Sequence, residues 1–478
     1  MRSFRVTTLG TGRCTHRPGR DTVGPRGAPA SGLLRFRVGW LGHSLISPAL
    51  IGCLAVAGLL LGRAACAKTT SVRGERLASV PASFFGLHLH RAVGPAGTVG
   101  ATVWPLAQFG SWRLWDAGVA WRDLEPARGR WDFTRLDSCI TLAQRHGVDV
   151  LLPLGLSPPW ASARPTERSA YAPGNAAEPM KMADWSDYVS TVAKRYKGRI
   201  HSYEVWNEPN LKRFFSGDMK SVLALASEAY RVLKSVDSTC IVVSTSATGR
   251  DGAAWLDRYL AAGGGNWADV IGFHAYVGQN RSPEDMADLL HDVKKVLTDR
   301  KLSTKPLWDT ETGWAIHNRR PLSDSLRASA PPSRDALPDS TAAAYVARAL
   351  LLAWAEGVGR YYWYSWDNYS MGLVEPDGVS MKAAGRAYGV AGDWMIGATL
   401  VKFDLAHDGT YQMDLKRSDG DVCTILWRRS GSTWFSLPPS WRRWRESNLR
   451  GSTQGILSAD PGGRVLVGES PVMVEPLP

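Results

Sequence analysis

Several functional classes are missing their signatures from this chain. Cysteine is scarce, with six residues in 478, at positions 14, 53, 66, 139, 240 and 423. None of them forms a CxxC pair, so a zinc or thiol-redox motif has no support. No His-Glu-x-x-His occurs, which removes the commonest metallohydrolase signature. No Gly-x-Gly-x-x-Gly follows the first apolar strand, which weakens a dinucleotide reading. No cofactor and no metal is therefore expected. Nor is there a basic body suited to nucleic acid. The formal net charge is +13, yet residues 1–67 alone hold nine Arg against one Asp, and the remainder carries 48 basic and 43 acidic residues. So mild an excess needs no nucleic-acid partner. Long apolar runs are also absent, with one exception near the N-terminus.

That exception, Leu45 to Gly62, is uncharged and about as long as a membrane span requires. Arginines precede it, and Ala65-Cys66-Ala67 follows with a small-x-small pattern. The arrangement predicts an export signal cleaved after Ala67, or, if uncleaved, a tether through residues 45–62. A periplasmic or extracellular location follows, with attachment to the inner membrane as the variant. Residues 1–67 then form an address, 68–397 a catalytic domain and 398–478 an accessory domain. A monomer is expected.

What the chain has in surplus is tryptophan, 21 residues. Aromatic faces suit the flat C–H faces of sugars, although about half of these side chains are expected in cores and seams. After Lys68, short apolar runs alternate with amphipathic stretches, the pattern of repeated βα units. Strands are expected at 84–90, 112–116, 148–154, 200–206, 241–245, 270–276, 306–312 and 361–366. Helices are expected at 133–146, 182–196, 219–236, 283–299, 341–356 and 381–394. Eight such pairs predict an α/β fold, a (β/α)8 barrel; a doubly wound sheet is the competing layout. A polar loop, 318–340, follows the seventh strand. From about Thr399 the runs 411–416, 422–427, 433–436 and 464–467 are short and β-prone, predicting a small β-sandwich. The cluster Trp441-Arg442-Arg443-Trp444-Arg445 lies among them, as a solvated segment or as a contact for an anionic glycan.

Two motifs carry chemistry. Tyr203-Glu204-Val205-Trp206-Asn207-Glu208-Pro209-Asn210 ends the fourth strand, and Trp308-Asp309-Thr310-Glu311-Thr312-Gly313-Trp314 ends the seventh. Active-site groups of a barrel project from C-terminal strand ends, and glycosidic cleavage needs two carboxyl groups flanking the anomeric carbon. Glu208 and Glu311 fit. Asp309 shares the face of Glu311 by period-two alternation and is read as a deeper structural group, as is Glu204 relative to Glu208. His88 and His90 alternate onto one face at the base of the cleft.

The first motif resembles the acid/base signature of clan A glycoside hydrolases, most closely family 39 and the related endoglycosidases encoded with bacterial exopolysaccharide synthesis. The resemblance covers about residues 80–478. It implies a retaining double displacement with Glu208 as acid/base and Glu311 as nucleophile, about 5–5.5 Å apart. It implies that Asn207 bonds the sugar 2-OH, that Arg113 keeps Glu311 ionised, and that His274 and Tyr276 orient the nucleophile. Trp366 would be a sugar platform, with Trp160 and Trp314 as further aromatic candidates. Burial and the neighbouring carboxylate would raise the pKa of Glu208. The implied substrate is a poly- or oligosaccharide, with endo action on a bacterial exopolysaccharide. An exo-acting β-xylosidase-like enzyme, transglycosylation and a non-catalytic glycan binder on a decayed barrel are the rivals.

Overall fold

The computed structural model describes residues 78–98, 100–319, 335–457 and 463–477. The apolar run at 45–62, the expected cleavage position and most of the 318–340 loop lie outside the described residues. Among the described residues no helix is long and apolar enough to cross a membrane.

Strand alternation with helices delivers the parallel sheet that the sequence pattern implies. Strands β1 (Phe85–Leu87), β2 (Ser111–Arg113), β3 (Asp149–Leu154), β4 (Ser202–Val205), β5 (Ile241–Val243), β6 (Ala247–Thr248), β7 (Ile271–His274), β8 (Leu307–Thr312) and β9 (Val358–Trp363) pair in the order β5-β4-β3-β2-β1-β9-β8-β7-β6. β5 and β6 are two halves of one barrel strand interrupted at Ser244–Ser246. The upper half pairs with β7, and a bridge from Val243 to Val270 joins the lower half to the same neighbour, closing the ring. The result is a (β/α)8 barrel, not a doubly wound sheet.

The helices follow from local signals. The helix Met219–Val236 starts at Asp218, whose side chain accepts from the Ser221 N–H at 2.7 Å, and it buries Val222, Leu225, Ala226, Ala229, Val232 and Leu233 at helical spacing. Pro283–Asp299 begins with Ser282 and Asp285 capping each other's ends and Pro283 in the first turn. Gly249–Ala261 is a helix outside the expected segments; glycines at 249 and 252 dilute its helical signal.

The barrel interior fills in layers. Leu151, Val243, Val270, Trp308 and Tyr362 form an apolar floor at the lower end. Above it sit charged and hydroxyl groups, and the catalytic candidates lie above those.

The C-terminal region is antiparallel. β10 (Thr399–Leu405), β11 (Thr410–Lys416), β12 (Val422–Arg428), β17 (Val472–Pro476), β14 (Arg443–Asn448) and β15 (Thr453–Leu457) form one sheet in that order, and β13 (Thr433–Ser436) pairs with β16 (Arg464–Val467). Alternation along β12 gives the sheet two apolar faces. Leu426 packs with Val465, Val467 and Trp444 against the small pair, whereas Cys423, Ile425 and Trp427 join the main core. Polar contacts pin this second face. Arg348 donates to the Arg428 carbonyl at 2.9 Å, Trp427 Nε1 to Glu284 at 3.2 Å, and Arg429 pairs with Asp285 at 2.7 Å. Trp444 is therefore a core residue and Arg445 pairs with Glu475 at 2.7 Å, so the Trp–Arg cluster is no continuous stacking surface.

Trp427 is fully buried and stacks on Tyr411 at 5.1 Å. Trp427→Ala is expected to cost about 3–5 kcal/mol through lost burial and the cavity left behind. Thermal unfolding would register it as a lowered Tm, with the C-terminal strands the first sites of proteolysis.

Candidate active site

Arg113, at the end of β2, lies fully buried beneath the barrel mouth. Its guanidinium donates to Glu204 Oε2 at 2.6 Å, to Glu311 Oε2 at 2.8 Å and to Asn207 Oδ1 at 2.7 Å. A buried cation needs such pairing to offset its desolvation. Glu204 in turn accepts from the hydroxyls of Ser246 and of Thr310, the latter at 2.9 Å. Ser246 reaches it because Gly272 opposite leaves the space that a side chain would fill. Glu204 thus acts as the buried structural acid expected of it.

Two departures from strand alternation build the mouth. After β4 the backbone turns left-handed at Trp206 (φ 65°) and again at Glu208 (φ 46°). Such angles are strained for side chains with a Cβ. Trp206 swings outward against Trp185 and Phe215, while Asn207 and Glu208 both turn inward. Hydrogen bonds hold the shape, from the Trp206 N–H to the Leu154 carbonyl at 2.7 Å and from the Glu208 N–H to the Ser246 carbonyl at 2.9 Å. On β8 the register shifts between Asp309 and Thr312. Thr310 reaches Glu204 and Glu311 reaches Arg113, whereas Asp309 accepts from the Ala275 N–H at 3.2 Å and the Thr312 hydroxyl at 2.8 Å. Asp309 therefore does not share the face of Glu311. It is a buried bonding group, as expected, but a shift of register separates it rather than depth alone.

The two motif glutamates meet. One carboxyl oxygen of Glu208, one of Glu311 and a ring nitrogen of His274 lie within 4.8 Å of one another. Tyr276 donates to Glu311 Oε1 at 3.1 Å, and His274 Nδ1 lies 3.1 Å from Glu208 Oε1. Only Tyr276 touches Glu311; His274 orients Glu208, which corrects the expectation that both serve the same carboxylate. Burial pushes Glu311 up to about 7, against the pull of His274 and Arg113 and with the push of Glu208. Burial also raises Glu208, but the hydrogen bond and charge of His274 outweigh it and hold the group below its usual range. His274 itself is raised, since Glu311 and the bond to Glu208 outweigh its burial. The resting order of the two carboxyls is thus the reverse of that expected, because the imidazole sits on Glu208. The same three donors form a group able to hold a metal ion. Both oxygens of Glu311 and one of Glu208 are already taken by Arg113, Tyr276 and His274, and a dication would stand beside the guanidinium.

The tryptophans fall elsewhere. Trp314 is 1% exposed and donates to the Arg281 carbonyl at 2.9 Å, and Trp366 is 2% exposed in the core. Trp160 donates to the Glu125 carbonyl at 2.8 Å with Arg128 over its ring at 4.5 Å. The first two present no face to a sugar, and Trp160 is committed to the β2 loop. An aromatic at the mouth besides Tyr276 is Tyr364, half-buried just past β9, with its ring 5.0 Å from those of His88 and His90. Its hydroxyl and that of Tyr171 both donate to Asp116 Oδ atoms, at 2.6 and 2.7 Å. Asp116 is exposed, left-handed (φ 57°), and close enough for its charge to raise Glu311. Asp116, Tyr171 and Tyr364 were not among the expected site residues; the one available signal was the place of Asp116 at the end of the expected strand 112–116. His88 is buried with Nε2 on the Thr310 carbonyl at 3.1 Å, and burial and the Arg113 charge hold it well below the ordinary range, so it is a neutral base-of-cleft residue.

A parallel barrel with glutamates at the ends of its fourth and seventh strands has the layout of a clan A glycoside hydrolase. Within that class, residues 108–331 match the model for Glycosyl hydrolases family 39. A β-xylosidase of Caldicellulosiruptor saccharolyticus is 30% identical over 190 residues, 38% of this chain and 37% of that protein. The chain thus matches little more than a third of that relative's length. Among solved structures, a family 39 glycoside hydrolase from Bacteroides cellulosilyticus WH2 superposes with a TM-score of 0.64 at 19% identity, over 83% of this chain and 81% of that one. A monomeric β-xylosidase from Caulobacter crescentus CB15 gives 0.56 at 17% identity, over 82% and 99%. At these identities the likeness shows the fold. The family match and the xylosidase relative support a glycoside hydrolase, and the resemblance to family 39 read from the motifs holds.

Arg113→Leu strands Glu204 and Glu311 without their cation, at an expected cost of about 3–5 kcal/mol. Without the Arg113 charge Glu311 binds its proton more readily, so the loss should be larger at pH 8 than at pH 5. Denaturant unfolding at the two pH values would test the sign.

Proposed function

We propose that the protein is a retaining glycoside hydrolase in which Glu311 attacks the anomeric carbon and Glu208 protonates the leaving oxygen. The observation that carries this reading is the approach of the two carboxyls to within 4.8 Å. Retaining pairs stand about 5–5.5 Å apart, whereas inverting pairs leave about 6.5–9.5 Å for a water. In the first step the C–O bond to the leaving group breaks, Glu208 supplies its proton, and Glu311 forms the glycosyl ester. In the second, Glu208 takes a proton from water, whose oxygen displaces Glu311. Arg113 and Tyr276 bind the oxygens of Glu311 and favour its ionised form. Asn207, its Oδ1 held by Arg113, has a fixed amide to offer a sugar hydroxyl.

Correct protonation requires the one proton shared by the Glu208–Glu311 pair to reach Glu208 when the leaving group is in place. Coupled sites titrate as a group, so the resting position of the proton matters less than the count. The activity should fall on its basic side at about 7, where Glu311 gives up the last carboxyl proton. On the acid side it should persist below the ordinary carboxyl range, because Glu208 is lowered. With an activated aryl glycoside, whose leaving group needs no proton, the basic limb should flatten.

The substrate we propose is a polysaccharide, cut internally, of the bacterial exopolysaccharide kind; the motif resemblance supports it. An exo-acting β-xylosidase-like activity is the second reading, favoured by the names of the relatives. Export, with the N-terminal apolar run as signal or tether, supports an extracellular or periplasmic substrate.

Hydrolysis of exopolysaccharides and aryl β-glycosides by the wild-type chain, Glu208→Gln and Glu311→Gln tests the assignment. Glu311→Gln should abolish turnover of every substrate. Glu208→Gln should lower it by about 10²–10⁴-fold on native linkages and far less on activated ones. Equal activity in either variant would remove that residue from the reaction, and product lengths would separate endo from exo action.

A further inference from the structure

The loop after β3 and the loop after β4, the latter carrying Glu208, form an open depression of about 580 Å³ on the barrel rim. That volume is in the range of small-ligand sites. Arg168, Lys212 and Arg213 line it, and all three are exposed. The acid in its wall, Glu167, is already neutralised: Arg164 pairs with it at 3.0 Å and the Ser216 hydroxyl donates to it. Among the described residues, none of the three cations has a carboxylate within ion-pair distance. Lys212 donates to the carbonyls of Ser216 and Gly217 at 3.2 and 2.8 Å, and Arg213 lies over the Phe214 ring at 4.9 Å. These contacts hold Lys212 and Arg213 in place and leave their charge uncompensated.

Two observations tie the depression to the catalytic mouth. The charge of Arg213 reaches Glu208 and helps to lower it. The Phe214 ring meets that of Tyr171 at 6.0 Å, and Tyr171 bonds Asp116 in turn. Chain connectivity adds to these: Lys212 and Arg213 stand on the loop that leaves Glu208, whose carbonyl accepts from the Leu211 N–H at 3.0 Å. Glu208 protonates the departing oxygen, so the cationic depression on its loop is placed for the leaving sugars.

Resting on the glycosidase reading, we infer that Arg168, Lys212 and Arg213 form a leaving-group subsite for a sugar bearing an anionic oxygen group, a uronate carboxylate or a sulfate ester. Two guanidinium groups can fork onto such oxygens, which a neutral hydroxymethyl group cannot match. The enzyme then selects an acidic saccharide and cleaves on the non-reducing side of the charged residue.

The test uses the full chain and three matched probes: β-1,4-tetraglucuronate, cellotetraose, which differs only in carrying CH2OH for each carboxylate, and 6-O-sulfated cellotetraose. Binding is measured by calorimetry at low and high salt, on wild type, Arg168→Gln, Arg213→Gln and Arg442→Gln. Both anionic probes, or one of them, should bind more tightly than cellotetraose, with the preference shrinking as salt rises. Each of Arg168→Gln and Arg213→Gln should weaken the anionic probe about tenfold, the size of one charge-assisted hydrogen bond, and leave cellotetraose unchanged. Arg168→Gln is on the loop after β3, not on the loop that carries the acid/base, and guards against an effect carried through Glu208. A preference between the two anionic probes identifies which group the subsite takes. Equal binding of all three probes overturns the inference, as does a preference that survives both substitutions. A preference lost instead in Arg442→Gln would move anion binding to the C-terminal sheet and overturn it too. Preference for anions with no hydrolysis of these probes or of the exopolysaccharides and aryl β-glycosides would defeat the glycosidase reading and leave the anion site standing, whereas hydrolysis among them without preference does the reverse.

Discussion

One guanidinium organises this barrel mouth. Arg113, on β2, ties together the ends of β4 and β8, donating to one oxygen each of Glu204, Asn207 and Glu311. Arginine suits the task because its planar fork offers several donors in fixed directions, and it stays charged when buried. The charge is also the constraint: a cation with no water must be answered, and the acids that answer it become fixed in turn. Glu204 consumes one side of the fork and is itself held by Ser246 and Thr310, so the opposite side is aimed without freedom at Glu311.

Around that anchor, the charge is arranged in pairs that compete for few protons. His274 sits on Glu208, Tyr276 and Arg113 on Glu311, and Asp116 adds a further negative charge at the rim. Burial raises the one carboxyl and the imidazole lowers the other, so their affinities are set by neighbours and not by residue type. A substrate that displaces water from the mouth changes all of these terms together. The proton can then move between groups a few ångströms apart with little rearrangement.

Much of this was legible in the chain. The eight expected strands all correspond to barrel strands, because buried parallel strands read as short apolar runs between amphipathic segments. Asn207-Glu208-Pro209 and Glu311 were legible as chemistry because few other roles place such groups at strand ends. What did not transfer was side-chain direction. Period-two alternation would have aligned Trp206 with Glu208 and Asp309 with Glu311, and both pairs are broken, one by left-handed backbone and the other by a register shift. The aromatic choices failed for a related reason. Trp314 and Trp366 look like platforms in sequence, yet both are taken into the core. Tyr364 faces the mouth instead, and nothing in its local sequence sets it apart.

The left-handed turn after β4 has a consequence for how the molecule comes into being. Neither Trp206 nor Glu208 would adopt its angle in an isolated peptide, since nothing there would repay the strain. The bonds that do so come from Leu154 on one neighbouring strand and Ser246 on the other. The motif can take its working shape only after both neighbours are in register. A chain with an unfinished ring therefore carries the right residues in an idle geometry, and competence for chemistry becomes a report on whether the last strands have docked.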